Sequence, residues 1–86
     1  MKKSKLSMSR FLSGDWVDFP EHDREMLVRI YGLSMYRAPF QVIEVVSSYQ
    51  GEGHLITLRD SDGFMVVDGE DEIERFFLED SFVHAK

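Results

Sequence analysis

The sequence predicts a mainly β fold with one helix (α+β): a small barrel, or a strongly bent antiparallel sheet of about five strands, with the helix between strands 1 and 2. Three observations carry this. Apolar-rich runs at Phe40 to Tyr49, His54 to Arg59 and Phe64 to Asp68 are separated by Gly-containing turns and read as an antiparallel meander. A single stretch, Glu21 to Tyr31, has helical spacing of its apolar residues. Val42-Ile43 and Val45-Val46 are apolar on both faces around Glu44, which a flat half-exposed strand does not need and a bent or doubly covered one does.

Residues 1–12 are Lys- and Ser-rich without sustained periodicity and read as a flexible basic tail; residues 13–86 then form one small domain. Gly14-Asp15-Trp16-Val17-Asp18-Phe19 reads as a first strand, entered through Gly and stopped by Pro20, with Val17 and Phe19 on one side and Trp16 on the other. Along Glu21 to Tyr31, Met26, Leu27, Ile30 and Tyr31 form the stripe expected to pack on the sheet. Acids lead this run, Arg29 lies near its end, and Gly32 followed by Leu33 matches a glycine stop with its hydrophobic contact. Ser34 to Pro39 is an irregular connection in which Pro39 pushes Ala38 towards extended geometry.

Within the meander, Ile56 and Leu58 share the face expected to be buried, and Leu55, Thr57 and Arg59 the other. Asp62-Gly63 reads as a two-residue hairpin turn with positive φ at both central positions; Gln50-Gly51-Glu52-Gly53 reads as a longer loop. Beyond Asp68-Gly69, the acidic start at Glu70 and the spacing of Ile73, Phe76 and Phe77 predict one helical or 3-10 turn, and Phe82-Val83-His84 a short closing strand.

Composition narrows the function classes. With 43% hydrophobic and 13% aromatic residues the chain is globular rather than disordered, and with no cysteine it has neither disulfides nor thiolate metal sites, as suits a reducing cytoplasm. Met-Lys-Lys-Ser-Lys resembles the start of a signal peptide, but no continuous apolar run follows that is long enough for export or a membrane span. Residues 1–10 carry Lys2, Lys3, Lys5 and Arg10 with no acid, whereas residues 11–86 carry 16 acids against 6 bases. Such an acidic body repels nucleic-acid backbone and acidic lipid and favours basic partners or simple solubility.

No catalytic constellation stands out. Asp60-Ser61-Asp62-Gly63 begins like a cation loop, but Phe64 stands where the next oxygen ligand belongs, so a hairpin is the better reading. His22, His54 and His84 are too widely spaced for a local zinc motif, and no serine sits in a nucleophile elbow. The expectation is a chain that is not an enzyme and needs no metal or cofactor.

Gly14-Asp15-Trp16-Val17 as opening strand, Phe40 to Val67 as meander, Ile73 to Phe77 as helical turn and Phe82-Val83 as closure together resemble the SH3-like small barrels, a group that includes KOW and Tudor-type domains. The resemblance is at fold level over about Ser13 to Ala85, with the helix as a departure, and it implies a non-enzymatic module that binds peptides, proteins or nucleic acid. No aromatic cage or peptide-binding motif of that group has a counterpart here, and no site is carried over.

Between Asp60 and Asp80 stand nine acids and one base, Arg75. Carboxylates fixed on a rigid scaffold approximate the charge spacing of phosphates, so a nucleic-acid mimic of the kind made by phages and mobile elements is one reading; a merely solubilising surface is the other. The leading expectation is a protein-interaction module whose acidic face, Glu70, Asp71, Glu72 and Glu74, binds a basic, nucleic-acid-handling protein, helped by the loop residues Met35, Tyr36 and Arg37. That loop reads equally as one folded back over the core. The alternative is direct nucleic-acid binding, with Lys2, Lys3, Lys5 and Arg10 gripping the backbone and Trp16, Tyr36 or Tyr49 stacking on bases. Oligomeric state, a homodimer included, stays open.

Overall fold

A computed structural model describes residues 9–47, 53–69 and 72–86. The chain is mainly β with one helix. Among the described residues seven strands, β1 (Trp16–Asp18), β2 (Phe40–Ser47), β3 (His54–Arg59), β4 (Val67–Asp68), β5 (Ile73–Glu74), β6 (Phe77–Leu78) and β7 (Val83–His84), form two sheets. Five make an antiparallel sheet in the order β6-β3-β2-β1-β7, and β4 and β5 form a separate two-stranded ribbon.

That five-stranded sheet has to bend. Laid flat, its outer strands β6 and β7 would lie about 19 Å apart, four times the usual inter-strand spacing. The connection between them is a 3-10 turn, Glu79–Ser81, plus Phe82, which reaches only about 13 Å. Curling the sheet closes the gap and brings the Phe77 and Phe82 rings to 5.7 Å between centroids.

A β-bulge in β2 supplies part of the bend. Val42 pairs with Leu58 and Glu44 with Thr57, so Ile43 is the extra residue. The bulge also reverses the alternation: Phe40 and Val42 face the core before it and Val45 after it. This is why apolar residues occupy both parities in this strand. The concave side is filled by Phe11, Val17, Phe19, Leu33, Phe40, Val42, Ile56, Leu58, Val66, Phe77 and Phe82. Phe19 lies at their centre, stacked on Phe82 at 4.7 Å.

The helical stretch is found where expected, as a 3-10 turn Glu21–Asp23 running into α1 (Arg24–Tyr31). Gly32, with φ 68°, ends it: its N–H donates to the Arg29 carbonyl and the Leu33 N–H to the Val28 carbonyl, while Leu33 is buried. Its inward face is shifted from the predicted stripe. Leu27, Val28 and Tyr31 pack on the core, whereas Met26 and Ile30 are exposed. The Gly32 stop pulls Leu33 inward beside Val28, and that contact rotates the helix.

Four other expectations are corrected. The segment 64–68 is not the third strand of the meander: beyond one bridge, Arg59 to Met65, and the Val66 N–H to the Leu58 carbonyl, it leaves the sheet, and β6 takes the place beside Leu55 and Ile56. Asp62-Gly63 is not a two-residue turn. Gly63 alone has positive φ, its N–H donates to the Asp60 carbonyl, and the Asp60 N–H donates to the Phe64 carbonyl, the pattern of a longer loop closed by a glycine bulge. Residues 73–77 are extended rather than helical, because the left-handed Gly69 and Glu72 reverse the chain and let β5 pair with β4; the 3-10 turn comes later, at Glu79–Ser81. Finally, the stretch expected to be tail to residue 12 includes folded chain. Phe11 is fully buried, and Ser9 and Arg10 are tied to Glu79. Residues 1–8 lie outside the described residues.

Candidate functional site

The acidic segment owes its placement to Asp60. Its carboxylate, 3% exposed, accepts hydrogen bonds from the backbone N–H of Asp62 (3.0 Å) and Phe64 (2.9 Å) through Oδ1, and from that of Arg37 (3.1 Å) through Oδ2. One buried side chain therefore shapes the 60–64 hairpin and fastens the Arg37 loop to it. The Arg37 guanidinium then pairs with Asp62 at 3.1 Å.

Past this hairpin the β4–β5 ribbon carries Asp68 and Glu72 exposed and Glu74 half-buried, with Ile73 exposed between the last two. Glu70 and Asp71, in sequence between its strands, lie outside the described residues. The Tyr36 hydroxyl accepts a hydrogen bond from the Val67 N–H (3.2 Å), which ties the 35–37 loop to the root of the ribbon. The loop trio accordingly divides its work. Tyr36 is half-buried against the core, Arg37 is engaged with the hairpin, and Met35 is 81% exposed.

Among the described acids of this segment, two are internal. Asp60 is one; Glu79 is the other, 5% exposed, accepting from Ser9 Oγ (2.7 Å) and the Arg10 N–H (3.1 Å), with His54 Nδ1 3.7 Å away. Only Asp60 had a local signature: it begins a turn, where an Asp side chain commonly caps its own loop. Glu79 carries no such signal, since its partners lie about seventy residues away. Arg75, the lone base of the segment, is turned inward. It lies over the Tyr31 and Phe77 rings and donates to the Tyr31 carbonyl (2.7 Å), a last-turn helix carbonyl that favours a cation. Its charge is thereby withdrawn from the ribbon, which leaves the outward groups there acidic.

Exposed apolar residues also occur here: Phe64 (66% exposed) and Met65, expected in a strand of the meander, on the hairpin, and Ile73, expected in a helical turn, on the ribbon. Their parity gave no warning, because the segment leaves the sheet that would have covered them.

The residues of the nucleic-acid alternative are described only in part. Lys2, Lys3, Lys5 and Tyr49 lie outside the described residues. Arg10 lies over the Phe11 ring and 3.9 Å from Asp80. Trp16 is half-exposed on the convex face of the sheet, in a cross-strand row with Gln41 and Arg59. Among the described residues no three His, Asp or Glu side chains are grouped so as to hold a metal ion, and no helix is long and apolar enough to cross a membrane. In comparisons with family models, curated proteins and solved structures, nothing matches this chain.

Proposed function

We propose that the protein is a non-enzymatic interaction module that binds a basic, nucleic-acid-handling protein through the acidic ribbon and the adjoining loop. The carrying observation is the Tyr36 to Val67 hydrogen bond, which fastens the Met35–Arg37 loop to the root of the ribbon, so we take the two together as the binding surface. That surface has the composition of a partner face: outward carboxylates at Asp68, Glu72 and Glu74 around exposed Met35, Phe64 and Ile73, with Arg75 folded away. Carboxylates on such a rim speed association with a cationic partner and choose among partners, while the apolar side chains supply contact area.

The scaffold reading is an SH3-like barrel. The strand order β6-β3-β2-β1-β7, with a long excursion after β1 and a 3-10 turn before the last strand, supports it. The helix-bearing excursion remains the departure.

The test is affinity capture from the native host's lysate after nuclease treatment, comparing the wild type with the charge-reversed variant Glu70→Lys, Asp71→Lys, Glu72→Lys, Glu74→Lys. A salt-sensitive basic protein held by the wild type and lost by the folded variant is the expected result. Equal retention by both refutes the acidic face. Recovery of nucleic acid by the wild type, abolished by removing residues 1–10, would put the Trp16-Gln41-Arg59 row and the basic segment first.

A further inference from the structure

At the far end of β3 from the ribbon, a groove of about 510 Å³ runs between residues 9–13 and the second half of β2, lined by Leu12, Ser13, Ile43, Glu44, Val45 and His54 among others. One edge of this groove is unfinished sheet. β1 pairs with β2 only at Phe40 and Gln41, and the hydrogen bonds between Val42 and Gly14 and Asp15 end that contact. From there residues 9–13 diverge from β2. The Ser13 hydroxyl caps the Ile43 carbonyl (2.7 Å), and Ser9 and Arg10 are held instead by Glu79.

The register identifies which backbone groups are left over. The Leu58 carbonyl accepts from Val66, so Leu58 points away from β2; alternation then points Thr57 towards β2, Ile56 away, Leu55 towards it and His54 away. Their partners follow suit. Glu44 and Val46 bond to β3, while the N–H and C=O of Val45 and the N–H of Ser47 turn the other way, into the groove, where no backbone partner meets them among the described residues. An open sheet edge of this kind is a template for another strand.

We propose that an extended, largely apolar segment of a partner protein, with a basic side chain opposite Glu44, adds to β2 along Glu44–Ser47 as an extra strand. This pattern follows from the two sides of the edge. Val45 faces the core side, where half-buried Val45 and His54 and the buried Phe11 line the groove, so every second side chain of the added strand meets apolar surface. Its neighbours project to the side of Glu44 and Val46: the position beside Glu44, an exposed carboxylate with no Lys or Arg among the groove-lining residues, takes Lys or Arg, and the one beside half-buried Val46 takes an apolar residue. This strand site is independent of the acidic ribbon.

The experiment pans a phage-displayed random peptide library on the immobilised full chain and follows the selected peptides, made synthetically, by titration and by amide hydrogen exchange. The expected consensus is an apolar stretch with a single fixed Lys or Arg, and the Val45 and Ser47 amides, fast-exchanging in the free protein, become protected on binding. Val45→Pro removes the groove-facing N–H without removing a β2–β3 hydrogen bond; it is expected to weaken binding by about tenfold or more at unchanged secondary structure. Glu44→Lys should turn the selected preference from basic to acidic residues. The proposal is overturned if the Val45 amide is already protected in the free protein, if no peptide is selected, or if binding survives Val45→Pro. Peptides lost on charge reversal of the ribbon but retained by Val45→Pro would overturn the strand site while upholding the ribbon.

Discussion

Asp60→Ala removes the acceptor for three backbone amides at once, those of Arg37, Asp62 and Phe64, at 2.9 to 3.1 Å. A hydrogen bond to a charged acceptor contributes about 1.5–3 kcal/mol net. Three such bonds are not worth three times that, because the hairpin tip is exposed and water replaces the carboxylate at Asp62 and Phe64. Relief of the buried charge offsets a further part. The expected loss is therefore about 2–4 kcal/mol, a large share of the stability of a domain this small. Asp60→Asn keeps one carbonyl oxygen for Asp62 and Phe64 but sets an amide NH2 against the Arg37 N–H, so about 1–2 kcal/mol is expected. Urea denaturation of the three proteins with a common slope measures both values. A loss below about 0.5 kcal/mol for Asp60→Ala would refute the view that this carboxylate, rather than the glycine turn alone, holds hairpin and loop together.

The buried N-terminal segment and the helix stop give two more outcomes, readable by the same denaturation. Phe11→Ala, which deletes a fully buried ring in edge contact with His84 at 4.8 Å, should cost about 3–5 kcal/mol; a loss under about 1 kcal/mol would return the segment to the status of a tail. Gly32→Ala should cost about 1 kcal/mol and no more, since a Cβ there meets nothing within 4 Å and only the left-handed φ of 68° resists it. A loss above about 2 kcal/mol, or any gain, would contradict that account.

Sheet, helix and closing strand were legible because each rests on a local signal. Alternation marks β1 and β3, 3.6-residue spacing with Gly32 marks α1, and the doubly apolar β2 announces the bend that the Ile43 bulge provides. The candidate site was legible only in part. Its acids are conspicuous in composition, yet sequence could not say that Asp60 and Glu79 are buried hydrogen-bond acceptors or that Arg75 turns its charge onto Tyr31. Nor could it reveal that Tyr36 reaches Val67.

What the sequence by itself determined, then, is β1, the helix, β2, β3 and the closing strand, together with the sign of the surface charge; these follow from local patterning and from counting charges. Only the tertiary structure decided which strand continues the sheet after Arg59. Segments 64–68 and 77–78 compete for one edge of β3, and both are apolar enough to take it. Phe77 gains the place beside Ile56 because its ring closes against Tyr31 and Phe82, contacts that exist only once the sheet has curled, and the displaced segment is thereby free to form the acidic ribbon.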